Sequence, residues 1–238
     1  MSNAVYAALT RQSGLMQEMQ VVANNLANSS TTGYKSDRAI FAEFLAGAGA
    51  ASEKVSMGGV AAHNFDLEQG GLRFTGGRFD LAIQGEGFFM IDTPAGMRFT
   101  RAGHFQLSEE SRLIDGQGNP VLNPAGGAIL IPEDAEQVSI GGDGSISVDG
   151  ELFGQVGVVR PEGQLTRDGN ASFVSEDGFE AIEEPRVLQG ALEQSNVSPV
   201  LEVARMIEVQ RAYEAGQAML EKEDQRINKF ITTLRQQL

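Results

Sequence analysis

Apolar residues recur at alternating steps of four and three at both ends of this chain and lose that period between them. The N-terminal series is Val5, Leu9, Gln12, Met16, Met19, Ala23 and Leu26, an a/d helix seam with one polar interruption at Gln12. The C-terminal series is Met206, Val209, Tyr213, Gly216, Leu220, Glu223, Ile227, Phe230 and Leu234. Such spacing lines one face of a helix, whereas strand side chains alternate every second residue. Ser198 before Pro199 gives the second helix an N-cap and first-turn signal. A helix over residues 199–235 would span roughly 55 Å. Gly33, after "NSSTT", supplies a stop for the first helix. Two helices far apart in sequence, with matching seams, most simply pack against each other.

Between the ends the period shortens. Residues 79–92, 98–108, 112–122, 145–160 and 171–182 are short β-rich runs. Turn dipeptides punctuate them: Asp115-Gly116, Gly141-Gly142, Asp143-Gly144, Asp149-Gly150, Asp168-Gly169 and Asp177-Gly178. The expected fold class is therefore α+β, with long N- and C-terminal α-helices paired as a coiled-coil-like layer and a central, mainly antiparallel β-domain. Residues 1–45 and 195–238 would form the helical assembly domain, and 79–194 the outer β-domain. "AGAGAASEKVSMGG" (46–59) opens a small-residue, flexible connector running to residue 78.

Charge follows the same division. The formal net charge is −14, from 32 acids and 18 bases. Residues 1–45 hold three of each and residues 202–238 six of each, so the whole excess falls on the middle. The middle reads as a solvated exterior and the ends as packing surfaces. Nucleic acid and anionic membrane surfaces are poor partners for such a chain by repulsion. It has no cysteine, which excludes disulfides and thiolate metal sites. No apolar run approaches the ~20 residues of a membrane-spanning helix, so no direct membrane insertion is expected. "MSNAVYAALTRQ" has neither the basic start nor the apolar stretch of a secretory signal, so any export would proceed without ordinary signal cleavage.

No catalytic, cofactor or metal site emerges. His63 and His104 are far apart, and no HExxH or Gly-x-Ser-x-Gly pattern accompanies them. "DGQGN" (115–119) and "GGDGSISVD" (141–149) lack the spaced carboxylates and late Glu of a calcium loop and read as hairpin turns. Gly85-Glu86-Gly87 lacks the third glycine of a dinucleotide fingerprint. Most acids sit beside glycine in turns, so a glycosidase-type carboxylate pair is the weaker reading. The sequons at Asn28, Asn170 and Asn196 carry little weight on base rates.

The seams carry more. Leu15 and Val22 lie off the first seam, and Val203, Ile207 and Ile231 off the second, giving each helix a further apolar stripe for helices of other subunits. Asn24, Asn25 and Asn28 flank Ala23 and Leu26, which places three mediocre helix formers where a neighbouring subunit could bond their amides. The expected subunit-interface residues are Asn24, Asn25, Asn28, Met16, Met19 and Leu26, with Met206, Gln210, Tyr213, Leu220 and Ile227 on the second helix.

Three ordered blocks now carry a resemblance: "QVVANNLANSSTTGYK"; "LEQGGLRFTGGRFDLAIQGEGFFMI" with "RFTRAGHFQL"; and "LEQSNVSPVLEVARMIEVQRAYEAGQAML". Together the chain resembles the flagellar rod and hook family of axial proteins, over nearly its whole length. Its opening and its length are most similar to the proximal-rod branch; the distal-rod branch is the alternative. Gly216 stands where the family usually has Asn, and the chain is shorter than hook protein. The resemblance implies a non-enzymatic structural subunit without cofactors, exported unfolded through the flagellar type III apparatus and assembled in the periplasm. It implies copies of itself and other proximal and distal rod subunits as partners, paired terminal helices in an inner tube, a β-domain outside it, and torque transmission as the task. From a different class, a surface β-domain binding carbohydrate or calcium would use its helices only to oligomerise.

Overall fold

The computed structural model describes residues 3–47, 54–132, 135–169 and 171–236. The side chains of Val5 and Leu234, both given seam positions above, lie outside what is described, as do residues 48–53 of the expected connector and the sequon at Asn170.

A long helix, α1 (Asn3–Ala27), leads into β1 (Asp37–Gly47), β2 (Lys54–Phe65) and β3 (Leu72–Phe74). Next come β4 (Leu81–Ile83), β5 (Phe88–Thr93), β6 (Gly96–Thr100), β7 (Gln106–Leu107) and β8 (Leu113–Ile114). Then follow β9 (Val138–Ile140), β10 (Ser145–Val148), β11 (Glu151–Gln155), β12 (Val158–Pro161) and β13 (Leu165–Arg167). The chain closes with β14 (Ser172–Ser175), β15 (Phe179–Ala181), β16 (Val187–Gln189), β17 (Ala191–Glu193) and a second long helix, α2 (Pro199–Gln236). The architecture is α+β, with antiparallel pairing throughout the central domain's described ladders.

Two compact units form. The first joins Met1–Ala27, Asp37–Asn64 and Ser198–Leu238; the second joins Asn28–Ser36 to Phe65–Val197. In the first unit β1 pairs with β2 as a two-stranded sheet. This corrects the flexible-connector reading of residues 46–78, whose described part holds the end of β1, all of β2 and all of β3. The small residues Ser56, Gly58 and Gly59 that looked like linker composition are strand residues here, and small side chains do not prevent ladder pairing.

The second unit is built on a six-stranded sheet in the order β13-β14-β6-β5-β12-β15. β5 is buried on both faces: Phe89 and Ile91 enter one apolar cluster, Phe88 and Met90 another. That is why its sequence, "FFMI", is continuously apolar rather than alternating. A three-stranded sheet, β11-β10-β9, adds Val138, Ile140, Ile146 and Val148 to the first cluster. The turn Asp149-Gly150 joins β10 to β11 in two residues, with φ of 51° and 88°. Both central residues are left-handed, as a two-residue hairpin matched to strand twist requires.

Gly33 does not end α1, which stops six residues earlier at Ala27. The turn after it is held by Thr31, whose N–H and hydroxyl donate to the carbonyl and side-chain oxygens of Asn28, both at 3.1 Å. Gly33 has φ +69°, and a Cβ there would stand 2.2 Å from the Ala102 nitrogen. It is glycine because two backbones meet there, a reason no local pattern reveals.

Candidate assembly surface

In the first unit α1 and α2 lie side by side in opposite directions. Glu18 Oε1 accepts from Arg205 Nη2 at 3.0 Å, and Gln12 Nε2 donates to the Tyr213 carbonyl at 2.9 Å. Gly216 makes room for Gln12, since a Cβ at that position would stand 2.6 Å from Gln12 Nε2. The polar interruption of one seam thus fits the gap in the other. Gln12 Oε1 is buried without a hydrogen-bond partner among the described residues. Beside it runs a trough of about 500 Å³ lined by Ala8, Arg11, Leu15, Ala212, Ala215, Gly216 and Met219.

The second seam lies where expected as far as Glu223: Met206, Val209, Tyr213, Gly216, Leu220 and Glu223 are its buried or half-buried positions. Beyond it Ile227 and Phe230 are exposed. The first seam is rotated. Leu9 and Met16 are about half exposed, at 52% and 51%, and Ala23 is exposed, whereas Val22 is buried at 2% and Leu15 half-buried. Positions read as a secondary stripe therefore lie on the covered side of α1. Two apolar stripes about 100° apart both satisfy a seven-residue spacing on a helix turning 100° per residue, and the small residues Ala212 and Gly216 opposite decide which one is covered. Met19 and Leu26 are half-buried.

The three asparagines have separate fates. Asn25 is buried, at 2% exposed. Its Nδ2 donates to the Asp37 carbonyl at 2.8 Å, and its Oδ1 accepts from the Asp37 N–H at 2.9 Å. This corrects its expected role as a handle for a neighbouring subunit: both ends of the amide are bonded to the backbone of Asp37, the first residue of β1 in the same chain. Asn28 holds the turn after α1. Asn24 is exposed and lines a depression of about 390 Å³ with Gln17, Gln20, Val21, Asp37, Ala62 and His63. Gln210 is exposed and bonded to Glu214 along α2.

The second unit contains a buried ion group that the sequence reading missed. Lys35 Nζ donates to Glu193 Oε1 at 2.6 Å and to the Glu68 carbonyl at 2.6 Å. Arg101 Nη1 donates to Glu193 Oε2 at 3.1 Å, and its Nη2 to the Gly85 carbonyl at 2.7 Å. The Gly70 N–H also donates to Glu193. Burial pulls Lys35 below the usual lysine range, with Glu193 only partly opposing it. Close by, the Arg167 guanidinium lies 4.2 Å from the Tyr34 ring centroid and 4.9 Å from that of Phe65. Lys35, Arg101 and Glu193 come from three different blocks of the sequence.

Asp80 and His104 form a further pair at 2.7 Å, and Thr75 donates to the other Asp80 oxygen at 2.5 Å. Burial alone would raise the Asp80 pKa, but the bonds from Thr75 and His104 outweigh it and hold the carboxyl below its ordinary range. Among the described residues no three His, Asp or Glu side chains group so as to hold a metal ion. No described helix is long and apolar enough to cross a membrane.

Comparison with known proteins matches all three blocks. A family model for the flagella basal body rod protein covers residues 6–35. One for the flagellar hook protein FlgE/F/G D1 domain covers 82–148, and one for the flagellar basal body rod FlgEFG protein C-terminal region covers 188–234. The chain is 38% identical to the flagellar basal-body rod protein FlgF of Caulobacter vibrioides, over 93% of each chain. It is 34% identical to FlgF of Mesorhizobium japonicum over 98% of each. Against the flagellar basal-body rod protein FlgG of Bacillus subtilis it is 29% identical, over 99% of this chain and 100% of the other.

Proposed function

This chain belongs to the flagellar basal-body rod family, and on that footing we propose that it is a structural subunit of the proximal rod, stacking with copies of itself and with other rod proteins into a helical tube that carries torque from the motor ring to the hook. Family membership sets it in the flagellar basal body among other rod components. The proximal position follows the FlgF relatives, and the FlgG relative keeps the distal rod as the alternative.

One observation carries the mechanical reading. The two long helices leave large apolar side chains in solvent along much of their length: Leu9 and Met16 on α1, and Leu201, Ile207, Met219, Ile227 and Phe230 on α2. Large apolar side chains left open along both helices are surface for other proteins to cover. α1 and α2 act as one coiled-coil-like layer, and neighbouring layers pack side by side into the tube. Interdigitated helices resist twist because close-packed side chains deform little. Non-closing contacts between identical units build such an array. The subunit reaches the periplasm through the flagellar export apparatus, without cleavage of a signal peptide.

Removing residues 199–238 tests this reading. Cells carrying the truncation should lose motility and rod assembly while the β-domain still folds. Retained motility would contradict it.

A further inference from the structure

Three separate stretches of the chain meet around the buried ion group, all within the second unit: 33–36, 65–71 and 193–197. Glu193 accepts from Lys35 and Arg101 through its carboxylate, and from the Gly33 N–H through its carbonyl at 2.8 Å. Asn196 works in parallel. Its Oδ1 accepts from the Ser36 N–H at 2.7 Å, and its Nδ2 donates to the Asp66 carbonyl at 2.8 Å. The Lys35 ammonium also reaches the Glu68 carbonyl, so each stretch is tied to both others. Every tie of this clasp is distant in sequence. Lys35 and Glu193 are 158 residues apart, Ser36 and Asn196 160, and Asp66 and Asn196 130. The hairpins of the six-stranded sheet are local by contrast: β5 pairs with the next strand β6, and β13 with β14. Those hairpins also carry the fully apolar Met90, Phe99 and Phe173 into the core.

We infer that this clasp is the last part of the β-domain to close and the first to open, a latch that marks the chain as complete. Two physical reasons set the order. Closing a loop costs entropy that grows with its length, and that cost precedes the contacts that offset it. Charge sharpens the delay. The side chains of Lys35, Arg101 and Glu193 are at most 3% exposed, and a buried charge without its partner is strongly unfavourable. None of the three can be buried until the others are in place. Contacts absent from the folding transition state act on the unfolding rate, so the latch governs how long the closed domain lasts. A chain emerges from synthesis N-terminus first. The residues before Glu193 can then form hairpins, but they cannot lock until Glu193 and Asn196 follow. For a subunit exported unfolded, the preceding chain stays threadable until β17 is out; this consequence, unlike the latch itself, rests on the rod-subunit reading.

The test uses the full chain, with pulsed hydrogen exchange across β5 and β6 reporting the folding and unfolding rates of the β-domain. Asn196→Ala removes the clasp's amide and leaves Lys35, Arg101 and Glu193 paired. It should speed unfolding roughly tenfold and change the folding rate less than about twofold. Phe99→Leu, in the local hairpin, should instead slow folding. An Asn196→Ala chain that unfolds no faster, or whose folding slows by as large a factor as its unfolding quickens, would overturn the latch. Native-state exchange of the unaltered chain gives a second reading that needs no variant to fold. The Gly33, Ser36 and Asp66 amides should exchange at least about tenfold faster than the ladder amides of β5 and β6. Equal rates would overturn the inference and leave the rod assignment standing. Absence of the chain from purified rods would remove that assignment and leave the latch.

Discussion

Gly33 and Glu193 show how single positions hold the β-domain around the segment that precedes it in the chain. Gly33→Ala would force a side chain into left-handed backbone and onto the backbone of Arg101 and Ala102. It should destabilise the β-domain by roughly 3 kcal/mol, read from its denaturation midpoint. Glu193→Gln should cost about 3–5 kcal/mol, because it leaves Lys35 and Arg101 buried as cations without their anion. Lys35→Met should cost less, since Glu193 keeps Arg101. Asp80 sets an acid limit. Its folded pKa lies below the unfolded value, so its contribution is complete above about pH 4 and is lost as pH falls through the folded value. Part of the stability lost below about pH 4 should therefore come from Asp80, and Asp80→Asn should flatten that part of the profile. None of these roles is local: Lys35, Arg101 and Glu193 are scattered along the chain and become partners only when the sheets form. A motif reading had no means to join them.

At the scale of elements, sequence patterning located both helices and the hairpin strands, because period and turn chemistry are local. Ser198-Pro199 opens α2 where its capping signal lies, and Asp149-Gly150 turns where its dipeptide demands. Rotation about the helix axis was less legible. Two stripes of α1 satisfy the same spacing, and the covered one was decided by Ala212 and Gly216 on a helix some 200 residues away in sequence. Asn25 was misread for a related reason: its partner is the first residue of β1, a strand that begins within the stretch expected to belong to the helical assembly domain. Gly216→Leu should separate the helices by displacing Gln12, seen as faster amide exchange through α1 with the β-domain transition unmoved. Gly216→Ala should change stability by less than about 1 kcal/mol, since the Gln12 amide can swing aside and alanine favours the helix. Equal effects from both substitutions would show that Gln12 does not depend on the gap.

For the molecule as a whole, charge divides as the two jobs of a rod subunit require. The excess of acids falls on the middle of the chain, and the balanced ends hold the exposed apolar faces of α1 and α2. A β-domain rich in like charge discourages indiscriminate association, while the helices offer surface that is stable only when covered. The central claim is that this chain is laid down in the proximal rod through those helices. Near-atomic imaging of purified basal bodies tests it most directly. The account predicts density for this chain in the proximal rod layer, with α1 and α2 packed against helices of neighbouring subunits. A position in the distal layer, or no place in the axial structure at all, would contradict it.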